Sequence, residues 1–213
     1  DKKGWAVGSS GAIVSTLDGG NTWKRQNSGT FDQLNSVYFV NEQTGWAVGV
    51  GGLVVWTLNG GISWTKQNPG TTDWFNGSYF INAQTGWIVG GRSVRKTTDG
   101  GTTWTVQNSG ATNTLQGIYF VNAQTGWIVG RDGLIRKTTN GGTTWTAQKS
   151  NTTNFLYSVH FTDEQTGWVV GDRGTLLSLV PEMKPEVAAA IMQWATGVAA
   201  APQASPQSTG PVL

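Results

Sequence analysis

The sequence predicts an all-β fold, a β-propeller of four-stranded blades, on three observations. A Gly-Trp pair recurs at Trp5, Trp46, Trp87, Trp127 and Trp168, at spacings of 41, 41, 40 and 41 residues. Each interval holds four short strand-like runs separated by Gly- and Asn-rich turns, and a four-stranded unit of about 40 residues is the signature of a propeller blade. The 213 residues include 31 Gly and 12 Trp while charged residues are only 12%, about half the ~25% usual for globular chains, which suits a turn-rich β protein.

The fourth unit shows every element. Leu115-Gln-Gly-Ile-Tyr-Phe-Val121 alternates, carries aromatic and β-branched residues, and reads as an innermost strand A. Strand B is the short apolar run Trp127–Gly130. A tight turn through Arg131-Asp132-Gly133 leads to strand C, Leu134–Thr138, and an Asn-Gly-Gly turn leads to strand D, Thr144–Gln148. Asn or Asp beside Gly-Gly supplies the positive φ angles that tight hairpins need. Small residues at Ser36, Gly77, Gly117 and Ser158 mark where the A strands converge on the axis. Ile13, Val54, Val94, Ile135 and Leu176 of strand C are expected to pack between blades, because a blade cannot bury two apolar faces alone.

Strands B and C occur five times, A and D four times each. The expected blades are 1–29, 30–70, 71–110, 111–150 and 151–180; the first lacks strand A, the last lacks strand D, and closure of the five-bladed ring is incomplete. Residues 181–213 form a second region. Pro185-Glu186 is a good helix start, a short helix is expected over 185–196, and an Ala/Pro/Ser-rich flexible linker follows. A helix this short must dock, on its own propeller or on a partner.

Composition excludes several classes. Fourteen Lys and Arg against twelve Asp and Glu leave a charge of +2, too little to argue for nucleic acid. Without cysteine there is no disulfide framework or thiolate metal site, and no metal or cofactor is expected. No 18-residue apolar run occurs, so the membrane expectation is at most peripheral association. An opening at Asp1, without Met and almost directly into a strand, is expected of a processed or trimmed product.

The most specific motif is the C–D turn, Thr16-x-Asp18-x-Gly20-x-x-Trp23. It recurs with Asn59 and Trp64, Asp99 and Trp104, and Asn140 and Trp145. Its acid or amide accepts backbone N–H groups within the turn, its Gly takes the left-handed angle, and its Trp buries itself between strands. This is the Asp-box (BNR-type) turn of many propellers. Asn in two of four copies marks a staple, since an amide serves a turn but not acid–base catalysis.

With the GW-x-VG strands added, residues 4–180 resemble the photosystem II assembly/stability factor-like propellers. That resemblance implies an extracytoplasmic assembly chaperone that binds partner proteins through a basic surface; homologues of that type also occur as secreted or surface proteins. Arg92, Arg131 and Arg173 lie in the B–C turns of blades 3 to 5, where blades 1 and 2 carry Ser9-Ser10 and Val50-Gly51. Strand C adds Arg95, Lys96, Arg136 and Lys137, so an arc of positive charge is expected, partly neutralised by Asp132 and Asp172 and suited to acidic loops or a peptide carboxylate. Solvated turn charge is the alternative reading. The D–A loops share that face and add Trp74 and Phe155, as interface anchors or sugar-stacking platforms. Trp56 is expected to mark a second exposed apolar spot or to seal the seam near blade 1.

Glycosidases also use Asp-box propellers, and they need two carboxylates flanking the scissile bond. The acids outside the boxes and termini, among them Asp32, Glu42, Asp73 and Glu164, fall mostly in turns, and the single His160 replaces a strand-A tyrosine. No nucleophile–base pair or catalytic residue stands out. The expected function is therefore a non-enzymatic, extracytoplasmic, protein-binding propeller, an assembly factor or accessory subunit of a larger complex, including a photosynthetic or membrane-associated one. The alternative is a secreted or cell-surface glycan-binding module.

Overall fold

A computed structural model describes residues 2–179; the expected helix and linker of 181–213 lie outside them. Eighteen strands form five antiparallel sheets. Blade 1 has β1 (Gly4–Val7), β2 (Ile13–Thr16) and β3 (Lys24–Gln26). Blade 2 runs β4 (Leu34–Phe39), β5 (Gly45–Gly49), β6 (Val54–Thr57), β7 (Thr65–Gln67). Blade 3 runs β8 (Gly77–Phe80), β9 (Gly86–Gly90), β10 (Ser93–Thr97), β11 (Thr105–Gln107). Blade 4 runs β12 (Leu115–Phe120), β13 (Gly126–Gly130), β14 (Ile135–Thr138), β15 (Thr146–Gln148). Blade 5 has β16 (Leu156–Phe161), β17 (Gly167–Gly171) and β18 (Leu176–Leu179). Among the described residues the first and last sheets have three strands, without a strand A in blade 1 or a strand D in blade 5, as expected from the sequence. No helix among the described residues is long and apolar enough to cross a membrane.

Each junction between successive blades owns one apolar cluster, and one aromatic device repeats across all four. The Trp of each GW pair stacks on the Phe ending strand A of the next blade. The pairs are Trp5–Phe39 at 3.6 Å, Trp46–Phe80 at 3.8 Å, Trp87–Phe120 at 3.7 Å and Trp127–Phe161 at 3.5 Å. In blades 2 to 4 that Phe meets its own box Trp edge-on: Phe39–Trp64, Phe80–Trp104 and Phe120–Trp145. Such stacked and T-shaped pairs each add to area burial. The GW indoles also donate to a box glycine carbonyl in the following blade, Trp5 to Gly60, Trp46 to Gly100 and Trp87 to Gly141. The box thus serves the junction between blades as well as its own turn.

Inside the box, Asp99 Oδ1 accepts from the Thr97 hydroxyl and the Thr103 amide, and Oδ2 from the Thr103 hydroxyl. Asn140 keeps the Oδ1 contacts with Thr138 and Thr144 and turns its Nδ2 to donate to the Thr144 hydroxyl. The hydroxyl reverses from donor to acceptor, so acid and amide both complete the turn. Trp23 departs from its expected burial at 47% exposed, because among the described residues blade 1 has no strand A and hence no Phe against that indole. Trp56 also corrects the sequence reading: it is half-buried and packs at the junction of blades 2 and 3.

The hydroxyl and amide of Thr22, with the Thr16 hydroxyl, hold the Asp18 carboxyl down at about 2; Thr103 and Thr97 do the same for Asp99. A carboxyl depressed in the folded state contributes stability above its unfolded value near 4 and loses it as pH falls through the folded value. The melting temperature is expected to hold level down to about pH 4 and to fall between about pH 4 and pH 2. The Asp18→Asn/Asp99→Asn double variant is expected to flatten that fall, measured by circular dichroism melts across the series. An identical pH profile in the variant would show that the boxes do not carry it.

Candidate functional site

The B–C turns and D–A loops meet on one face because backbone bonds lock them together. Gly11, Gly52 and Gly133 amides donate to the carbonyls of Asp32, Asp73 and Asn154. In blades 2, 4 and 5 the turn is a single 3-10 turn, at Val50–Gly52, Arg131–Gly133 and Asp172–Gly174. Its first amide donates to the loop carbonyl of Gln33, Thr114 or Phe155. The loop carbonyl lies against the glycine that ends strand B: a Cβ on Gly130 would come within 2.1 Å of the Thr114 oxygen, and one on Gly171 within 2.3 Å of the Phe155 oxygen. In blades 2 to 5 the last Gly of the GW-x-VG run, at Gly49, Gly90, Gly130 and Gly171, is therefore a close-approach position that sets the height of the loop, whereas Gly8 of blade 1 has open space there.

Between blades 4 and 5 this face opens into a cleft of about 340 Å³ lined by Thr114, Arg131, Asp132, Asn154, Phe155, Asp172 and Arg173. Asp132 and Asp172 are spoken for on its walls: Asp132 accepts from Asn113 Nδ2 at 2.8 Å and Asp172 from the Tyr157 hydroxyl at 2.5 Å. That contact pushes the Tyr157 phenol up. Arg131 stands 3.8 Å from Asp132, and both are exposed. Arg173 and Arg92 are exposed, with no ion-pair partner among the described residues.

The three arginines do not occupy one repeated position. Arg131 opens its turn, whereas Arg173 is the middle residue, at φ 55°, where blade 4 has Asp132 at φ 58° and blade 2 has Gly51. The blade 3 turn is one residue shorter, with Gly91 in the left-handed conformation before Arg92. Arg131 and Arg173 share one cleft; Arg92 lines another of about 650 Å³ with Asp73, Ser93 and Val106.

The strand-C cations lie between blades. Lys96 Nζ sits 5.1 Å from the Trp87 ring centroid and donates to the Gly141 carbonyl; Lys137 Nζ sits 4.9 Å from Trp127 and donates to the Glu164 carbonyl. Burial lowers the Lys96 ammonium. Arg136 reaches the Gly110 carbonyl at 2.7 Å, and Arg95 is half-buried with its Nη1 near Gly70. Of the two loop aromatics, Trp74 is 64% exposed, while Phe155 is half-buried and packs on Tyr157 at 4.9 Å between centroids.

Asn154 of the cleft, and Tyr157 behind it on Asp172 and Phe155, are residues that the sequence reading missed. Tyr157 replaces Asn35 and Asn76, which bridge to the next blade by donating to the Phe75 and Leu115 carbonyls. That break in the repeat was the available signal. His160 packs on Tyr119 with its ring tilted, at 4.6 Å between centroids, continuing the row Tyr38, Tyr79, Tyr119 along the A strands. Among the described residues no three His, Cys, Asp or Glu side chains cluster as metal ligands.

Comparison with solved structures places this architecture among known propellers. YCF48 from Cyanidioschyzon merolae aligns over 85% of this chain and 67% of its own, at 22% identity and a TM-score of 0.66. A structure of YCF48 bound to D1 peptide aligns over 85% and 75%, at 15% identity and 0.53. A GH74 enzyme from Niastella koreensis aligns over 85% and 34%, at 20% identity and 0.69. At such identities these likenesses show the fold alone. A comparison with curated protein sequences gives no match. The sequence model of the photosynthesis system II assembly factor YCF48 matches residues 1–71 and 70–152, most of the repeat region. The chain belongs to the photosynthesis system II assembly factor YCF48 family.

Proposed function

We propose that this chain is a non-enzymatic, extracytoplasmic assembly factor or accessory subunit that binds a partner polypeptide through the turn-and-loop face of blades 3 to 5. The observation that carries the reading is the cleft between blades 4 and 5, where two exposed guanidinium groups stand beside the Phe155–Tyr157 pair. Guanidinium forks take carboxylates in bidentate fashion, and an aromatic next to Arg is a common interface anchor. The family supports a protein ligand, since one YCF48 structure is described as holding a D1 peptide. The low charged fraction and the absence of cysteine are compatible with export.

The test is binding of an acidic peptide with a free C-terminal carboxylate, read by fluorescence anisotropy beside its amidated form. The Arg92→Glu/Arg131→Glu/Arg173→Glu variant is expected to weaken binding by at least about tenfold, more at low salt than at high. Unaltered binding overturns the basic-face reading. Arg173→Gly separates charge from fold. Relief of the left-handed backbone, about 1 kcal/mol, is offset by the glycine's freedom in the unfolded chain, so stability stays level while binding weakens. Export is tested by fractionating the native host, where recovery in the cytoplasm argues against it.

The exposure of Trp74 favours one second reading, a glycan-stacking surface. Glycan-array binding that vanishes in Trp74→Ala would establish it.

A further inference from the structure

Blade 3 breaks the repeat at its B–C turn, which has Gly91-Arg92 where blades 1, 2 and 4 have three residues. In those blades the last turn residue is Gly11, Gly52 or Gly133, and its amide donates to the following D–A loop at Asp32, Asp73 or Asn154. In blades 1 and 4 the same glycine roofs a loop serine. A Cβ on Gly11 would stand 3.0 Å from the Ser28 hydroxyl oxygen, and one on Gly133 2.7 Å from that of Ser150. In blade 1 the Ser28 hydroxyl donates to the Gly11 carbonyl at 2.7 Å. The matching serine of blade 3, Ser109, is 3% exposed and accepts from the Ala111 amide, yet its own proton has no acceptor among the described residues. The Asn113 carbonyl, at the loop position of Asp32 and Asn154, has no donor among them either. A sheltered hydroxyl or carbonyl left unpaired costs free energy that a ligand offering the partner recovers. Ser109 lines a groove of about 650 Å³ with Asp73, Arg92, Ser93, Val106 and Asn108.

We propose that the blade 3 groove takes an extended peptide segment of a partner and reads its main chain as well as its charge. One residue of the segment supplies the two partners that Gly11 supplies in blade 1: an N–H for the loop carbonyl, here Asn113, and a C=O for the serine hydroxyl, here Ser109. Arg92 takes an acidic side chain and Asp73 a basic one, since neither has an ion-pair partner among the described residues. Val106, 65% exposed, gives the segment an apolar wall. The matching groove of blade 1, about 590 Å³, does not qualify, because its Ser28 is already bonded to its own turn. The inference rests on the proposed reading of this face for the kind of partner, but it uses uncharged groups that the arginine cleft between blades 4 and 5 does not contain.

The probe is the capped peptide acetyl-Glu-Gly-Gly-Lys-amide, titrated to about 10 mM into the isotope-labelled full chain and followed by nuclear magnetic resonance, since so short a ligand binds in the millimolar range. Amide shifts are expected at Ser109, Ala111 and Asn113 and not at Ser28 and Thr30, on the blade 1 loop. Two variants remove the site. Replacing Gly91-Arg92 with the blade 4 turn sequence Arg-Asp-Gly rebuilds the roof, and is expected to abolish the response without lowering the melting temperature. Ser109→Ala is expected to weaken binding about fivefold, the worth of about one hydrogen bond. Pro69 at the same position of blade 2 shows that the loop forms without a hydroxyl. Arg131→Glu/Arg173→Glu is expected to leave the response intact, so that a failure of the arginine cleft and a failure here are read apart. The proposal is overturned by any of four results: no shift at the blade 3 amides at about 10 mM, equal shifts in blades 1 and 3, a response that survives the longer turn and Ser109→Ala, or a response lost in Arg131→Glu/Arg173→Glu.

Discussion

Trp87→Ala is expected to destabilise the protein by about 3–5 kcal/mol, the usual range for a large aromatic removed from a core. Trp87 is 0% exposed, stacks on Phe120 at 3.7 Å, and donates to the Gly141 carbonyl at 3.2 Å. Its removal leaves a cavity at the junction of blades 3 and 4, strips Phe120 of its stacking partner, and takes from Lys96 the ring it lies over. Because each blade is held mainly by its neighbours, the loss is expected to broaden the unfolding transition as the two halves of the array uncouple. Trp168→Ala, at the same motif position, is expected to cost less than about 1 kcal/mol, since its outer face touches nothing among the described residues and surface changes usually fall within that range. Urea melts of the pair decide the matter. Equal losses would mean that the repeat position itself, not the next blade, sets the energy.

Gly130→Ala is the second large effect, and it reaches the candidate site. Gly130 has φ −176°, an extended angle that any residue adopts, so backbone strain is not the reason it is Gly. The reason is the Thr114 carbonyl, 2.1 Å from where a Cβ would stand, which also accepts from the Arg131 amide. A backbone atom cannot swing aside as a flexible side chain can. The D–A loop must lift, with a cost of about 1–3 kcal/mol typical of overpacking and the loss of the bond that seats Arg131. Gly171→Ala is the matching change in blade 5, where Phe155 is the residue displaced. The expected outcome is weaker binding of the acidic peptide together with faster amide exchange at Arg131 or Asp172. Unchanged exchange at those amides would show that the loop tolerates the methyl.

The fold was legible because a repeat states its architecture five times. The GW and Asp-box spacing gave the blades, and the count of four A and four D strands anticipated the three-stranded first and last sheets of the described residues. The Asp/Asn interchange announced a staple, and the hydrogen bonds bear that out. The candidate site was legible only in part. Arg131, Arg173 and Phe155 were singled out and do meet in one cleft. What the turns alone did not reveal is that the arginines stand at different turn positions, because a turn one residue shorter in blade 3 shifts Arg92, and Arg173 occupies the left-handed slot that Asp132 fills in blade 4. Lys96 and Lys137 looked like surface charge by type, yet each stem runs along a neighbouring Trp with its ammonium on a backbone carbonyl.

The sequence by itself determined everything that depends on local geometry repeated along the chain: strand order, turn chemistry, the staples and the blade count. Only the tertiary structure decided what depends on which blade comes next. Leu176 and Ile135 occupy the same repeat position, yet one is 66% exposed and the other 2%. Nothing in either residue's own sequence neighbourhood separates them, because burial belongs to the pair of surfaces in contact and not to the residue that supplies one of them.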